Sequence, residues 1–219
     1  MLKEKKTAGI YYMYILAFFA VWAALTLLIF PTIDNSLGLP WSDLIEDGLF
    51  KTVIWTIPAF VLMKKYRDKL SVSDGLFRPK KSWWILIPGI IGVTIYLLIV
   101  KYRSSHTIAL AENFTLWLIP IYLFVGFNEE IVFRGWLLNS VIREENKVPA
   151  IAANAVLFLL IHFPTWIQGG TLMEHLTSGS FLIIVMLSVV FSICFTHSKS
   201  VTVPALMHFW WDFLIMALK

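Results

Sequence analysis

The stretch LWLIPIYLFVGFNEEIVFRGWLLNSVI, Leu116 to Ile142, decides the fold. It is longer than the ~20 apolar residues a helix needs to cross a ~30 Å hydrocarbon core. Its middle nevertheless holds Glu129, Glu130 and Arg134. Burying one unpaired charge costs on the order of several kcal/mol, so charges inside such a helix face the interior of a bundle and mark function.

The composition agrees with a membrane chain. Of 219 residues, 58% are hydrophobic, 15% are charged and 16% are aromatic, with ten tryptophans. Mean hydropathy is +0.76. Soluble domains average about 45–50% apolar and about 25% charged residues. Tryptophan at this density suits helix ends set among lipid headgroups. The net charge of +4 comes from basic residues clustered beside apolar runs, which reads as a topology signal and not as nucleic-acid binding. The lone Cys194 lies in an apolar run and permits no internal disulfide. The run from Ala8 to Phe30 is too long for a signal-peptide core and lacks a small-residue cleavage site, so it counts as a helix.

Apolar segments at about 8–30, 48–63, 83–100, 116–141, 149–166, 180–196 and 201–218 predict an all-α, polytopic transmembrane bundle of about seven spans. The second and last are short, which leaves a range of six to eight. With the N-terminus inside, cytoplasmic segments hold thirteen Lys and Arg, including Lys3, Lys5, Lys6, Lys80 and Lys81. The opposite side holds four, Lys51, Lys101, Arg103 and Lys219, and its first loop is acidic. The positive-inside rule therefore places the N-terminus in the cytoplasm of a plasma membrane.

Ionisable residues fall in three spans: Glu129, Glu130 and Arg134 in the fourth, His162 in the fifth, and His208 and Asp212 in the seventh. Glu130 and Arg134 are i and i+4 in the favourable order, so they pair with each other and read as structural. Glu129 lies about 100° round the helix and has no local partner, the condition expected of a general base. His208 and Asp212 are again i and i+4, so the carboxylate can orient the imidazole or share a ligand site with it. On straight helices Glu129 lies roughly 20 Å from the outer end of its span and His208 roughly 10 Å from the inner end of its own, a similar depth. His162 falls about 10 Å too far out unless its span tilts or begins outside the bilayer. His106, His175 and His197 fall in predicted loops and read as surface residues. Ser180 has no intramembrane histidine near it in sequence.

Two histidines with carboxylates can hold a zinc with an open position, or can activate water directly. The HExxH, GxSxG and GxGD signatures of other hydrolases are absent.

EEIVFR at 129–134, FLLIH at 158–162 and HFWWD at 208–212, in that order within apolar helices, resemble the EExxxR, FxxxH and HxxxN motifs of the CPBP (CAAX protease and bacteriocin-processing, or Abi) family of intramembrane proteases. The resemblance divides the chain into N-terminal transmembrane helices at 1–115, a protease core at 116–213 and a helix end at 214–219. It implies an endopeptidase in which Glu129 activates water with His162, His208 and Asp212 stabilise the oxyanion, and Glu130 and Arg134 shape the site. Both chemistries remain open, one Zn2+ held by Glu129, His162, His208 and Asp212, or no metal. Asp212 departs from the pattern, since an ionised Asp cannot donate a hydrogen bond where Asn would. It is either protonated, or an orienter of His208, or a ligand. The implied partners are the bilayer and a membrane-associated peptide or protein substrate, with no nucleic acid; small size and short loops suggest a bacterial chain. A non-catalytic immunity or scaffold protein that retains the fold is the alternative. A proton-coupled transporter gains little support, because repeats and Gly/Pro-broken helix pairs are missing.

Overall fold

A computed structural model describes residues 5–78 and 83–219, with side chains from Thr7 onward. Lys3, Lys80 and Lys81, and the side chains of Lys5 and Lys6, all counted among the cytoplasmic charges, lie outside the described residues. The described chain is all-α, with nine helices: α1 (5–37), α2 (41–65), α3 (Leu86–Ser105), α4 (118–141), α5 (Lys147–Leu160), α6 (Phe163–Gln168), α7 (Leu172–Ser178), α8 (Phe181–Ser198) and α9 (Thr202–Ala217). Four helical stretches are long and apolar enough to cross a membrane: Thr7–Leu37, Trp83–Ser105, Glu144–Gln168 and Phe181–Ser198. The other three expected spans also form helices but differ in kind. Those at 41–65 and 118–141 carry several charged residues, and α9 is only 16 residues long.

The bundle is organised around α4, which packs on α2, α5 and, most extensively, α9. A helix that is apolar all round must be surrounded, and residues 128–140 are buried without interruption. Trp136 is enclosed by the rings of Tyr11 and Tyr14 from α1 and Tyr66 beyond α2. Trp55 packs against Phe18 and Trp22. The Trp22 indole nitrogen donates to the carbonyl of Ile161 (2.9 Å), which ties α1 to the end of α5. At the periphery α3 presents Ile87, Ile91, Ile95 and Ile99 outward at helical spacing, a face suited to lipid acyl chains.

Helix α4 meets α9 at Gly126. A β-carbon there would lie 2.6 Å from the Ala205 carbonyl oxygen and 2.9 Å from the Phe209 amide nitrogen. Only glycine allows the two backbones to approach so closely, and one turn later Glu129 and Glu130 reach His208. The far end of α9 is tied down. The backbone nitrogens of Ala111 and Lys219 donate to the carbonyls of Ala217 and Ala109, while the Lys101 ammonium donates to those of Ile215 and Leu218.

Two of the four outer-side basic residues are therefore not topology signals. Lys101 closes the carboxyl end of α9, and Lys51 is 6% exposed inside the bundle. Each sits at the edge of an apolar run, where sequence cannot distinguish a charge that points inward from one in a loop.

Candidate active site

The site begins with a change in helix winding. Helix α4 runs as regular α-helix through Glu130 and then as wide π-helical turns over Ile131–Leu138, and α2 has π-helical turns over Leu44–Thr56. Extra residues per turn re-aim side chains, and such turns recur at functional sites. Asn128 joins the two helices. Its carbonyl oxygen accepts from Thr52 (3.2 Å) and Thr56 (2.6 Å), and its amide donates to the Asp47 carbonyl (2.9 Å).

That joint brings Lys51 to Glu129. The Lys51 ammonium lies 2.8 Å from Glu129 Oε1 and 2.6 Å from Asp47 Oδ1, and the rings of Trp22 and Trp55 flank it at 5.3 and 5.1 Å. The expectation that Glu129 lacks a partner is corrected here. It has no partner on its own helix, and its cation comes from 78 residues away. Its second oxygen, Oε2, stands 3.8 Å from His208 Nε2.

Glu130 is fully buried and takes the opposite direction. Its Oε1 accepts from Arg134 (2.8 Å) and lies 3.1 Å from His208 Nδ1. Arg134 continues to the carbonyl and hydroxyl oxygens of Ser188 on α8 (2.8 and 2.7 Å), with its guanidinium over the Phe158 ring. The i,i+4 pair is thus part of a wider network that joins α4, α8 and α9.

His208 Nε2 also lies 3.3 Å from Asp212 Oδ2. Both ring nitrogens consequently face carboxylate oxygens, a setting that two N–H donors satisfy. His162 stands where the chain breaks. Helix α5 ends at Leu160 and α6 restarts at Phe163, with Pro164 in its first turn. Proline lacks the amide that would continue α5, so the regular helix of the expected span at 149–166 is interrupted at the histidine. His162 Nδ1 lies 3.0 Å from the Phe158 carbonyl oxygen and must donate to it, which leaves Nε2 as the acceptor. The Phe158 ring stands between the two imidazoles, with centroids 5.5 Å from His162 and 5.6 Å from His208.

Glu129, His162, His208 and Asp212 all line one cavity of about 390 Å³, with Lys51, Asp47 and Tyr122 beside them. Glu130 and Arg134 sit behind its wall. Of the three histidines expected in loops, only His106 lies outside a helix; His197 is in the last turn of α8 and His175 is in α7. His106 and His197 are exposed, whereas His175 is half-buried. His175 stacks on Trp166 at 4.3 Å and its Nδ1 lies 2.8 Å from Ser180 Oγ, so Ser180 does have a histidine partner, across the short turn between α7 and α8.

The four donors named for a metal do not converge on one point. Among the described residues no three His, Cys, Asp or Glu side chains form a group that could hold an ion. Glu129 Oε1 is taken by an ammonium, His162 Nδ1 by a carbonyl, and both nitrogens of His208 by carboxylates. A zinc ion does not fit this donor set.

Residues 111–214 match the family described as Type II CAAX prenyl endopeptidase Rce1-like. That stretch, just under half of the chain, is similar to the CAAX protease family. The match together with the apolar helices supports a membrane-embedded protease fold. No curated protein and no solved structure matches the chain. Within this CAAX-protease-like chain the matched region contains Glu129, His162, His208 and Asp212, but not Asp47 or Lys51. Those two are contributed by α2, where they stand at i and i+4 in the favourable acid-then-base order. That spacing pairs them with each other but does not point to Glu129.

Proposed function

We propose that the protein is an intramembrane endopeptidase that hydrolyses a peptide bond with a water activated by Glu129, without a metal. In this reading it crosses the bilayer seven times with its N-terminus in the cytoplasm, and the helices at 41–65, 118–141 and Thr202–Ala217 cross by keeping their charges inside the bundle. The observation that carries the reading is the convergence of Glu129, His162, His208 and Asp212 from three separate sequence segments on one cavity.

Each group has a role its contacts suit. Lys51 holds Oε1 of Glu129, so Oε2 is the oxygen available to a water, and the acceptor nitrogen of His162 helps to orient that water. As the water oxygen bonds to the carbonyl carbon, one of its protons passes to Glu129 and the carbonyl electron pair moves onto oxygen. His208 Nε2–H is the donor for that oxyanion. Asp212 accepts from the same N–H in the resting state, orienting the ring, so an aspartate works here where an amide would have donated directly. When the tetrahedral intermediate collapses, the C–N bond breaks and the leaving nitrogen takes the proton back from Glu129.

The test is to incubate the purified protein in nanodiscs with a diverse peptide library and map new amino termini by mass spectrometry. Defined cleavage sites are expected, and Glu129→Gln protein of unchanged thermal stability should lose about 10²–10⁴-fold in rate. Cleavage at full rate by Glu129→Gln would refute the assignment.

A further inference from the structure

The mouth of the cavity has a charge that the hydrolytic chemistry does not use. Asp34 from the end of α1 and Asp43, Glu46 and Asp47 from the first turns of α2 line it, and Glu129 and Asp212 lie deeper. Lys51 is the single Lys or Arg among the lining residues, and it is already held by Asp47 and Glu129. Among the described residues, Asp34, Asp43 and Glu46 form no ion pair. Six carboxylates against one ammonium and the His208 imidazolium, within a partly enclosed cavity, focus a negative potential on whatever enters.

A second observation, independent of charge, points to a ligand in the same space. Thr26, 2% exposed, and Trp55, fully buried, both line the cavity, and neither the Thr26 hydroxyl nor the Trp55 indole N–H has a hydrogen-bond partner. Buried polar groups of this kind are normally satisfied. A hydroxyl and an N–H donor in a slot beside a candidate general base suit the carbonyls and amides of an extended peptide. The described acidic and histidine side chains do not form a group able to hold a metal ion, so the cation that suits the mouth is one carried on a chain.

We infer that the substrate is a peptide segment with a lysine or arginine close to the scissile bond, its backbone bonded to Thr26 and Trp55 and its cation held by Asp34, Asp43 and Glu46. The inference rests on the protease reading and adds its substrate class. Asp47 and Glu129 grip the same ammonium, so the acidic mouth begins one side chain from the candidate base. At about 3.3–3.6 Å per extended residue, this places the basic residue within about two positions of the cleaved bond.

The experiment measures binding separately from turnover. An apolar peptide containing one Lys, and its Gln counterpart, are titrated by fluorescence anisotropy into Glu129→Gln protein in phosphatidylcholine nanodiscs, whose zwitterionic surface favours neither. The Lys peptide is expected to bind about tenfold more tightly, with the advantage falling as salt rises. The double variant Asp43→Asn/Glu46→Gln on that background should remove most of it. Asp34→Asn, at an exposed position with little bearing on folding, should remove part of it. Equal binding of the two peptides overturns the inference and leaves the protease reading intact. Selective binding supports the cation site, and if the unmodified protein then cleaves neither peptide nor any library member, only the protease reading falls.

Discussion

Glu129 and Glu130 share a peptide bond but belong to different parts of the molecule. Glu130 is sealed among α4, α8 and α9, where it joins Arg134 and His208, while Arg134 reaches on to Ser188. Glu129 faces the cavity with one oxygen on Lys51 and the other toward His208 across 3.8 Å. A turn of about 100° separates a carboxylate that fixes three helices from one that faces the cavity. In a medium with little water, both need a cation, and the difference lies in how completely each is enclosed.

The sharpest way to break this contrast is to exchange the two amides. Glu129→Gln should lose about 10²–10⁴-fold in cleavage rate with its unfolding midpoint little changed, whereas Glu130→Gln should lose folded protein first. If thermal scanning in detergent shows the two variants equally unstable, the contrast fails. Next in size is Arg134→Met, which strands a fully buried Glu130 and should cost about 3–5 kcal/mol in unfolding free energy.

Lys51 tests the open side. Lys51→Met removes the group that positions Glu129 Oε1 and should reduce kcat about 10²-fold with KM less affected, while Lys51→Arg restores most of the rate. A Lys51→Met protein that turns over normally would show that the contact is incidental. Gly126→Ala drives a methyl group into the α9 backbone and should cost about 1–3 kcal/mol, with weaker activity because His208 moves away from both glutamates.

The smallest effect is in salt, at the rim carboxyls Asp34, Asp43 and Glu46. Screening weakens an exposed charge pair more than an enclosed one. The preference for a Lys peptide over its Gln counterpart should therefore shrink severalfold between low and high ionic strength. Asp43→Asn/Glu46→Gln should flatten that profile, as read by anisotropy in the Glu129→Gln background.

The helices and the local pairs are legible in the sequence because they depend on spacing alone. Apolar runs mark where helices lie, and the i,i+4 rule by itself joins Glu130 to Arg134 and His208 to Asp212. What spacing cannot supply is rotation and depth between helices that are apolar on every face, since such helices carry no stripe to orient them. Lys51, Asn128 with Thr52 and Thr56, and the Trp22–Ile161 bond all depend on that missing quantity. The break at His162 is nearer to hand, because Pro164 two residues on is a signal that α5 ends there. The pairing of His175 on α7 with Ser180 crosses the short turn to α8, whose geometry no apolar periodicity encodes.

The clasp at the end of α9 has a mechanical consequence. Helix ends ordinarily fray, because their last carbonyls lack partners. Here Lys101 and the strand-like pairing of Leu110 with Leu218 occupy that end, and Gly126 presses the other half of the helix onto α4. His208 and Asp212 are therefore mounted on a post braced at two heights, while the acidic rim at Asp34 sits on an exposed helix end with no such brace. In the proposed protease, any yielding that admits a polypeptide is expected in the rim, with His208 held in place.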